Sequence, residues 1–234
     1  MAVEQNALAS SIHEHLLGDM ELYNFLSDEQ RRVIVRFVLG FCQHTEMLVS
    51  PNVTEGPELG WTVAANAALV GGAQKTNCFR CVKWVYLDSE EESKGLAGFA
   101  AGFTTVRLNV KTCIDETKTI TPGSNVIVHE FAHVLDSLYG ITGNCDIISD
   151  AYKRNKQAIE ECHNRSIDDA SIFSDPDALV PHHDFQSSEQ EFFAYSTEYF
   201  FTSPHFLAAL YPALYRRYES IYGLNMAEIL PEGM

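Results

Sequence analysis

The chain has 234 residues, with 16 lysine and arginine side chains against 32 acidic ones, and a formal net charge of −16. A chain of this length can bury a core without disulfides or a structural metal. The acidic balance argues against a protein that binds nucleic acid or anionic lipid, because both kinds of binding depend on clustered lysine and arginine.

The N-terminal twenty residues lack the basic, apolar and small-residue regions of a secretory signal. The apolar runs at 33–42 and 61–70 are too short to span a bilayer. Six cysteines are spread through the chain, unlike the dense framework of a small secreted domain. We therefore expect a cytoplasmic protein with no membrane partner and with reduced thiols, including Cys78 and Cys81, whose CxxC spacing lacks the second pair that a zinc knuckle needs.

The N-terminal part of the chain is predicted to be helical. A short helix is expected over 6–17. Ser27 and Gln30 form a capping box, which opens a helix that runs to about residue 46. A loop is expected over 47–57, and the alanine-rich segment 61–70 is predicted to be the next helix.

Two strands are predicted in the middle of the chain, over 81–87 and 104–110, with an acidic loop over 88–93. Alternate residues of a strand point to the same side, so Arg107 and Asn109 share a face.

The C-terminal half reads as helices, predicted over 125–138, 146–165, 187–201 and 212–222, with a loop over 166–186. This order predicts one α+β domain over 1–234, with a helical lead over 1–57 and a catalytic core over 58–234.

An HExxH motif, His129-Glu130-Phe131-Ala132-His133, lies inside a predicted apolar helix. Residues four apart lie on one face of a helix, one turn from each other, so the two imidazoles can bind one Zn²⁺. Glu130 is turned about a quarter of the way round, where it reaches a water on the metal. The alternative is a helix whose polar residues face solvent, which the apolar flanks of the motif disfavour.

A catalytic zinc needs a third protein ligand and an open position. The extended motif of metzincins fails at Asp136, which stands where a glycine is required. Asp146 and Asp150 are near enough in sequence to ligate. Glu191 is the stronger candidate, because it and Glu198 stand out in an otherwise apolar helix. The two glutamates are about 10 Å apart along the axis, so they cannot share one ion, and Glu198 either supports a ligand or is a buried, hydrogen-bonded residue.

These motifs together resemble the Mlc titration factor A family of zinc peptidases. The resemblance is carried by HEFAHVLD at 129–136, EFFAYSTEYFF at 191–201 and SPHFLAALYPALYRRY at 203–218. Weaker similarity at 25–30 and 98–112 extends it to roughly residues 20–222. It implies a gluzincin-type, zincin-like α+β fold similar to the catalytic core of anthrax lethal factor. Such a fold has a small mixed sheet, an HExxH helix and a mostly helical C-terminal half.

The resemblance also implies roles for individual residues. One zinc ion per chain would be bound by His129, His133 and Glu191, with Glu130 as general base. The strand near 104–110 would bind an extended peptide by β-augmentation, which places Arg107 and Asn109 at the substrate.

Two acidic side chains are expected to support the ligands from behind. Asp136 is predicted to hold a ligating imidazole in the right tautomer, as carboxylates behind metal ligands commonly do. Glu198 is the other candidate for this position. Tyr195 lies one turn beyond Glu191 and is either close to the metal or part of the core.

The chain departs from the family at one position. Family members carry a tyrosine seven residues before the glutamate ligand, where it is thought to stabilise the oxyanion, and here that position is Asp184. His182 or His183 could donate to an oxyanion in its place, and we assign His183 this catalytic role. The alternative is that both histidines are solvated loop residues.

The expected function is that of a zinc metallopeptidase acting on a peptide or protein substrate. The alternative is a zinc-containing protein of weak or no activity that sequesters a regulatory partner such as a transcriptional repressor, as the namesake of the family does. The missing tyrosine favours this alternative and the intact Glu130 disfavours it. A third reading is a zinc hydrolase of non-peptide amides. The acidic stretches predict a preference for basic or neutral peptides.

Overall fold

The computed structural model describes residues 2–71, 78–164 and 188–233. Its N-terminal part is helical, with α1 over Ala2–Asp19, a 3₁₀ helix over Glu21–Phe25, α2 over Asp28–His44 and α3 over Leu59–Val70. The predicted capping box opens α2, because the Ser27 hydroxyl accepts from the Gln30 backbone and the Gln30 side chain accepts from the Ser27 backbone. The predicted N-terminal helices are thus confirmed.

A four-stranded sheet follows α2 and is interrupted by α3. Its strands are β1 over Glu46–Val49, β2 over Trp84–Asp88, β3 over Gly98–Ala101 and β4 over Thr105–Asn109. The order across the sheet is β1-β2-β4-β3. Strands β1, β2 and β4 are parallel, whereas β3 runs antiparallel to β4. The small mixed sheet agrees with the expected fold class.

Four elements of this region differ from the predictions. The expected loop over 47–57 begins within β1, and the expected acidic loop contains a single helical turn, α4, over Glu90–Ser93. Strand β3 and helix α5, which spans Val110–Lys118, were missed by the predictions. Both missed strands have four residues, and such short strands are defined by their pairing partners more than by their own sequence.

The strand expected to bind a peptide does not lie at an edge of the sheet. The predicted strand at 104–110 corresponds to β4, but β4 pairs with β2 on one side and with β3 on the other. An internal strand has no free backbone groups to offer a peptide. The edge beside the HExxH helix belongs to β3, because α6 contacts β3 more extensively than β4.

The remaining helices are α6 over Val126–Tyr139, α7 over Asp146–Asn164, α8 over Glu189–Thr202, α9 over Pro204–Leu210, α10 over Pro212–Tyr222 and α11 over Met226–Ile229. A 3₁₀ turn over Thr142–Asn144 joins α6 to α7. The mostly helical C-terminal half is therefore confirmed. The predicted loop over 166–186, together with His182, His183 and Asp184, lies outside the described residues. None of the helices in the described ranges is long and apolar enough to cross a membrane.

Helices α6 and α8 pack against each other in the centre of the molecule. A single apolar cluster runs from Ile12 in α1 to Leu230 after α11 and includes most of both helices. One face of the sheet also enters this cluster, since Val85 and Val106 are fully buried while Arg107 between the buried positions of β4 is exposed. The functional motifs are therefore carried on two largely buried helices.

Candidate metal site

The two histidines of the HExxH motif point to the same place. His129 and His133 are one turn apart on α6, and their Nε2 atoms lie 3.1 Å from each other. The Asn125 side chain begins this helix by accepting from the Val128 backbone, and Gly140 ends it in the left-handed conformation. The motif thus sits in the interior of a well-capped helix, where its residues keep a fixed spacing.

Glu191 closes the third side of this cluster from α8. Its two oxygens lie 3.4 Å from Nε2 of His129 and 3.4 Å from Nε2 of His133. Ser188 begins α8 by accepting from the Glu191 backbone, which places this carboxylate in the first turn. Among the described residues, these three form the only group of histidine, cysteine and acidic side chains positioned to hold a metal ion. Asp146 and Asp150 do not belong to it.

Glu198 contacts the other nitrogen of His129. Its Oε1 atom lies 2.8 Å from Nδ1 of His129, and its second oxygen accepts from the Asn125 backbone. Because an ionised carboxylate only accepts, Nδ1 carries a proton in this contact. Nε2 of His129 is therefore left to bind a metal, and the ring is held in the orientation that metal binding needs.

Asp136 occupies a different position. Its two oxygens accept from the backbone N–H and the hydroxyl of Thr142, at 2.7 and 2.9 Å. These bonds tie the end of α6 to the turn that follows it. The carboxylate that contacts Nδ1 of His129 is Glu198, whereas the hydrogen bonds of Asp136 are with Thr142 and not with a histidine of the motif.

The acidic residues on either side of His129 favour a positive charge between them. Burial alone would lower the pKa of His129, but hydrogen bonds with Glu191 and Glu198 outweigh it and raise that pKa from 6.5 to about 10. The hydrogen bonds from His129 and His133 lower the pKa of Glu191 from 4.5 to about 2. A site that stabilises a cation in this way is suited to a metal ion.

Glu130 lies next to this cluster with a different environment. Its side chain is 5% exposed. Burial raises the pKa of Glu130 from 4.5 to about 7, and the neighbouring His129 and His133 oppose the shift. A carboxylate whose pKa lies near neutrality is suited to accept and release a proton during catalysis.

A family model described as glucose-regulated metallo-peptidase M90 matches residues 85–223, which is more than half of the chain. The chain belongs to this family. Among curated proteins, none matches the chain significantly. The match spans most of β2, all of β3 and β4, and the helices from α4 to α10. Membership of the M90 family and the His-His-Glu cluster together indicate a metallopeptidase-like protein with the expected zincin-like fold.

Arg107 and Asn109 are engaged elsewhere in this M90-family chain. Arg107 donates twice to Asp88, at 2.9 Å each, and lies 4.9 Å from the centre of the Tyr86 ring. Asn109 begins α5 by accepting from the Thr112 backbone. Both are therefore committed to contacts within the sheet and its connections. Because β4 is an internal strand, they offer no free backbone groups for β-augmentation, and a role of their side chains at a substrate stays a prediction.

Tyr195 lies against the metal cluster. Its ring is 4.5 Å from the ring of His129, centre to centre, and meets it edge to face. It also packs against the apolar cluster. Tyr195 therefore lies both beside the candidate metal site and at the border of the core. It limits the space in which His129 can turn.

Glu116 is a residue that the sequence did not single out. One of its oxygens accepts from the Ser124 hydroxyl and the other from the Val126 backbone, each at 2.6 Å. It thereby satisfies an N–H group at the start of α6, and burial raises its pKa. It is one of 32 acidic residues, and only its contacts distinguish it from the others.

Proposed function

We propose that the protein is a zinc metallopeptidase that hydrolyses peptide bonds. The observation that carries this proposal is the spacing of the ligand atoms, which are 3.1 Å apart between the histidines and 3.4 Å between each histidine and Glu191. Donor atoms at 2.0–2.1 Å from a tetrahedral zinc are about 3.3 Å apart. The three side chains therefore fit one zinc ion per chain, and no fourth ligand joins them among the described residues.

The chain's own residues supply the proton transfers and the orientation of the ligands. A zinc ion in this site supplies a Lewis acid that polarises the scissile carbonyl. The carboxylate of Glu130 accepts a proton from the attacking water and passes it to the leaving amine. Glu198 keeps the proton of His129 on Nδ1, which holds the imidazole in place throughout.

An extended peptide fits the outer edge of β3, here called the free edge, which pairs with no strand among the described residues. Phe99 pairs with Arg107, and the Ala97 carbonyl accepts from the Asn109 backbone at 2.8 Å. Since backbone groups of an antiparallel strand alternate in direction, the N–H and C=O groups of Gly98 and Ala100 face the free edge. We assign peptide binding by β-augmentation to these two residues.

The charge around this edge favours basic or neutral substrates. Glu90, Glu91 and Glu92 lie in α4, shortly before β3. They supply negative potential near the bound peptide, which attracts basic side chains and weakens binding of acidic ones.

The free cysteines are consistent with a reducing compartment, and we propose the cytoplasm as the location. Cys42, Cys81, Cys113 and Cys145 are free thiols. A chain held in an oxidising compartment more often pairs its cysteines.

A second function has one observation in its favour. Position 184 holds an aspartate where the family resemblance implies a tyrosine for the oxyanion. Loss of one oxyanion donor costs on the order of 10²–10³ in rate. This favours a zinc protein that binds a regulatory partner with weak peptidase activity.

Cleavage of fluorogenic peptides tests the proposal and separates the two functions. We expect basic and neutral peptides to be cleaved, activity to disappear after chelation, and activity to return when one equivalent of zinc is added. The controls are the same incubations with magnesium in place of zinc, which should restore nothing. A zinc-loaded protein that cleaves no peptide in the panel would favour the binding function. Cleavage that survives chelation would contradict both.

A further inference from the structure

Glu130 is positioned without hydrogen bonds from the rest of the described chain. None of the described residues donates a hydrogen bond to its carboxylate, although Glu130 is only 5% exposed to solvent. The neighbouring carboxylates Glu191 and Glu198 are both held by polar contacts. The place of the Glu130 carboxylate therefore depends on the atoms that pack against it.

Gly98 is one of these neighbours and lies on the sheet. A Cβ atom at this position would lie 2.7 Å from both Cγ and Oε1 of Glu130, and 2.8 Å from a Val126 methyl. Carbon atoms in favourable contact are about 3.5–4.0 Å apart, so any side chain at residue 98 would displace Glu130 or separate β3 from α6.

The backbone does not require glycine at this position. Six glycines of the described chain have positive φ, and Gly98 is not among them. It is an ordinary strand residue that pairs with Leu108, in a conformation open to any amino acid. What the glycine provides is the space between β3 and Glu130.

We propose that Gly98 is a positioning residue for the general base. Its missing side chain leaves the volume that the Glu130 carboxylate occupies beside the free edge of β3. The strand that binds the peptide thereby also sets the position of the carboxylate that serves the peptide's hydrolysis. The inference rests on the proposed function for its catalytic consequence, while the contact between the two residues can be tested without it.

Thermal unfolding of the chelated protein tests the contact. We expect Gly98→Ala to lower Tm by on the order of 2–10 °C, as overpacking does in a domain of this size. In a Glu130→Ala background the same substitution should lower Tm by less than half as much, because two of the three crowded atoms belong to Glu130 and only the Val126 methyl remains. Gly143→Ala is the matched control, since a Cβ at residue 143 meets nothing within 4 Å, and its effect should be the same in both backgrounds.

Kinetics of the zinc-loaded protein test the positioning role. Displacement of a catalytic group by about 1 Å can cost on the order of 100-fold, so Gly98→Ala should lower kcat at least about tenfold. Its zinc content and KM should stay close to those of the wild type. In a Glu130→Asp background, where the carboxylate is drawn back by one methylene, the further loss of kcat should be smaller.

The outcomes separate this inference from the proposed function. Equal Tm losses in the wild-type and Glu130→Ala backgrounds, or an unchanged kcat in Gly98→Ala, would overturn the role of Gly98. A wild-type protein that binds zinc but cleaves no peptide would overturn the proposed function instead, and the Tm comparison would still decide whether Gly98 sets the position of Glu130.

Discussion

The two sides of the candidate site are held in different ways. On the side of α6 and α8, His129 is joined to Glu191 and Glu198 by contacts of 3.4 and 2.8 Å between charged or polar atoms. On the side of β3, Glu130 meets Gly98 and Val126 with no hydrogen bond among the described residues. The side of α6 and α8 therefore depends on charge, and the side of β3 depends on volume. Neutral isosteric substitutions should damage the α6 and α8 side, whereas added methyl groups should damage the β3 side.

Removal of a ligand should have the largest effect on the charged side. We expect His133→Ala and Glu191→Ala to reduce bound zinc from about one ion per chain to below about 0.1, because two donors do not retain the ion against dialysis. Elemental analysis after dialysis measures this. Asp150→Ala is the control, since Asp150 is exposed and pairs with Lys153 outside the cluster. Full zinc content in Glu191→Ala would contradict the assignment of the third ligand.

A neutral isostere behind the ligands should have the next largest effect. We expect Glu198→Gln to weaken zinc affinity about 10–100-fold, because the amide holds the Nδ1 proton of His129 less strongly than a carboxylate. Competition with a chromophoric chelator gives the affinity. Asp136→Asn makes the same chemical change at the far end of α6 and should leave zinc affinity nearly unchanged. Equal losses in both variants would mean that the contact with His129 is not what matters.

A change in the free edge of β3 should act on substrate rather than on metal. Ala100→Pro removes an N–H group that faces the free edge, and proline is tolerated on that side of an edge strand. We expect kcat/KM to fall about tenfold, the value of one hydrogen bond, with zinc content unchanged. Phe99→Pro removes an N–H group that faces β4 and should instead lower Tm. An Ala100→Pro variant with unchanged kcat/KM would count against peptide binding at this edge.

The smallest expected effect concerns the metal-free protein at alkaline pH. The pKa of His129 is raised to about 10 in the fold, against about 6.5 in an unfolded chain. A raised pKa stabilises the fold fully below pH 6.5, and this stabilisation is lost as pH rises through 10. We therefore expect Tm of the chelated protein to fall by a few degrees between pH 7 and 10. His129→Gln, measured in parallel, should show a smaller fall, and an equal one would contradict the shifted pKa.

The side of α6 and α8 was also more predictable from the sequence than the side of β3. Helices α6 and α8 were predicted within about two residues of their observed bounds, because each is a long apolar segment whose signal lies in its own sequence. The spacing of His129 and His133 is likewise a property of one helix. The approach of Glu191 was inferred from its apolar surroundings, and the family match covers both helices.

The sheet side was less predictable because it is defined by contacts between distant residues. Strands β1 and β3 have four residues each and gain their structure by pairing with β2 and β4. Nothing in the sequence states which strand lies at the edge, so the peptide-binding role went to β4. The choice between Asp136 and Glu198 was equally undetermined, since it depends on how α8 packs beside α6.

The most direct test of the central claim is hydrolysis by a Glu130→Gln variant with its zinc content measured in the same sample. The substitution keeps the size of the side chain and removes its capacity to accept a proton. The account predicts about one zinc per chain in both proteins and a loss of peptide cleavage of at least about 10²-fold in the variant. Undiminished cleavage by zinc-loaded Glu130→Gln would contradict it.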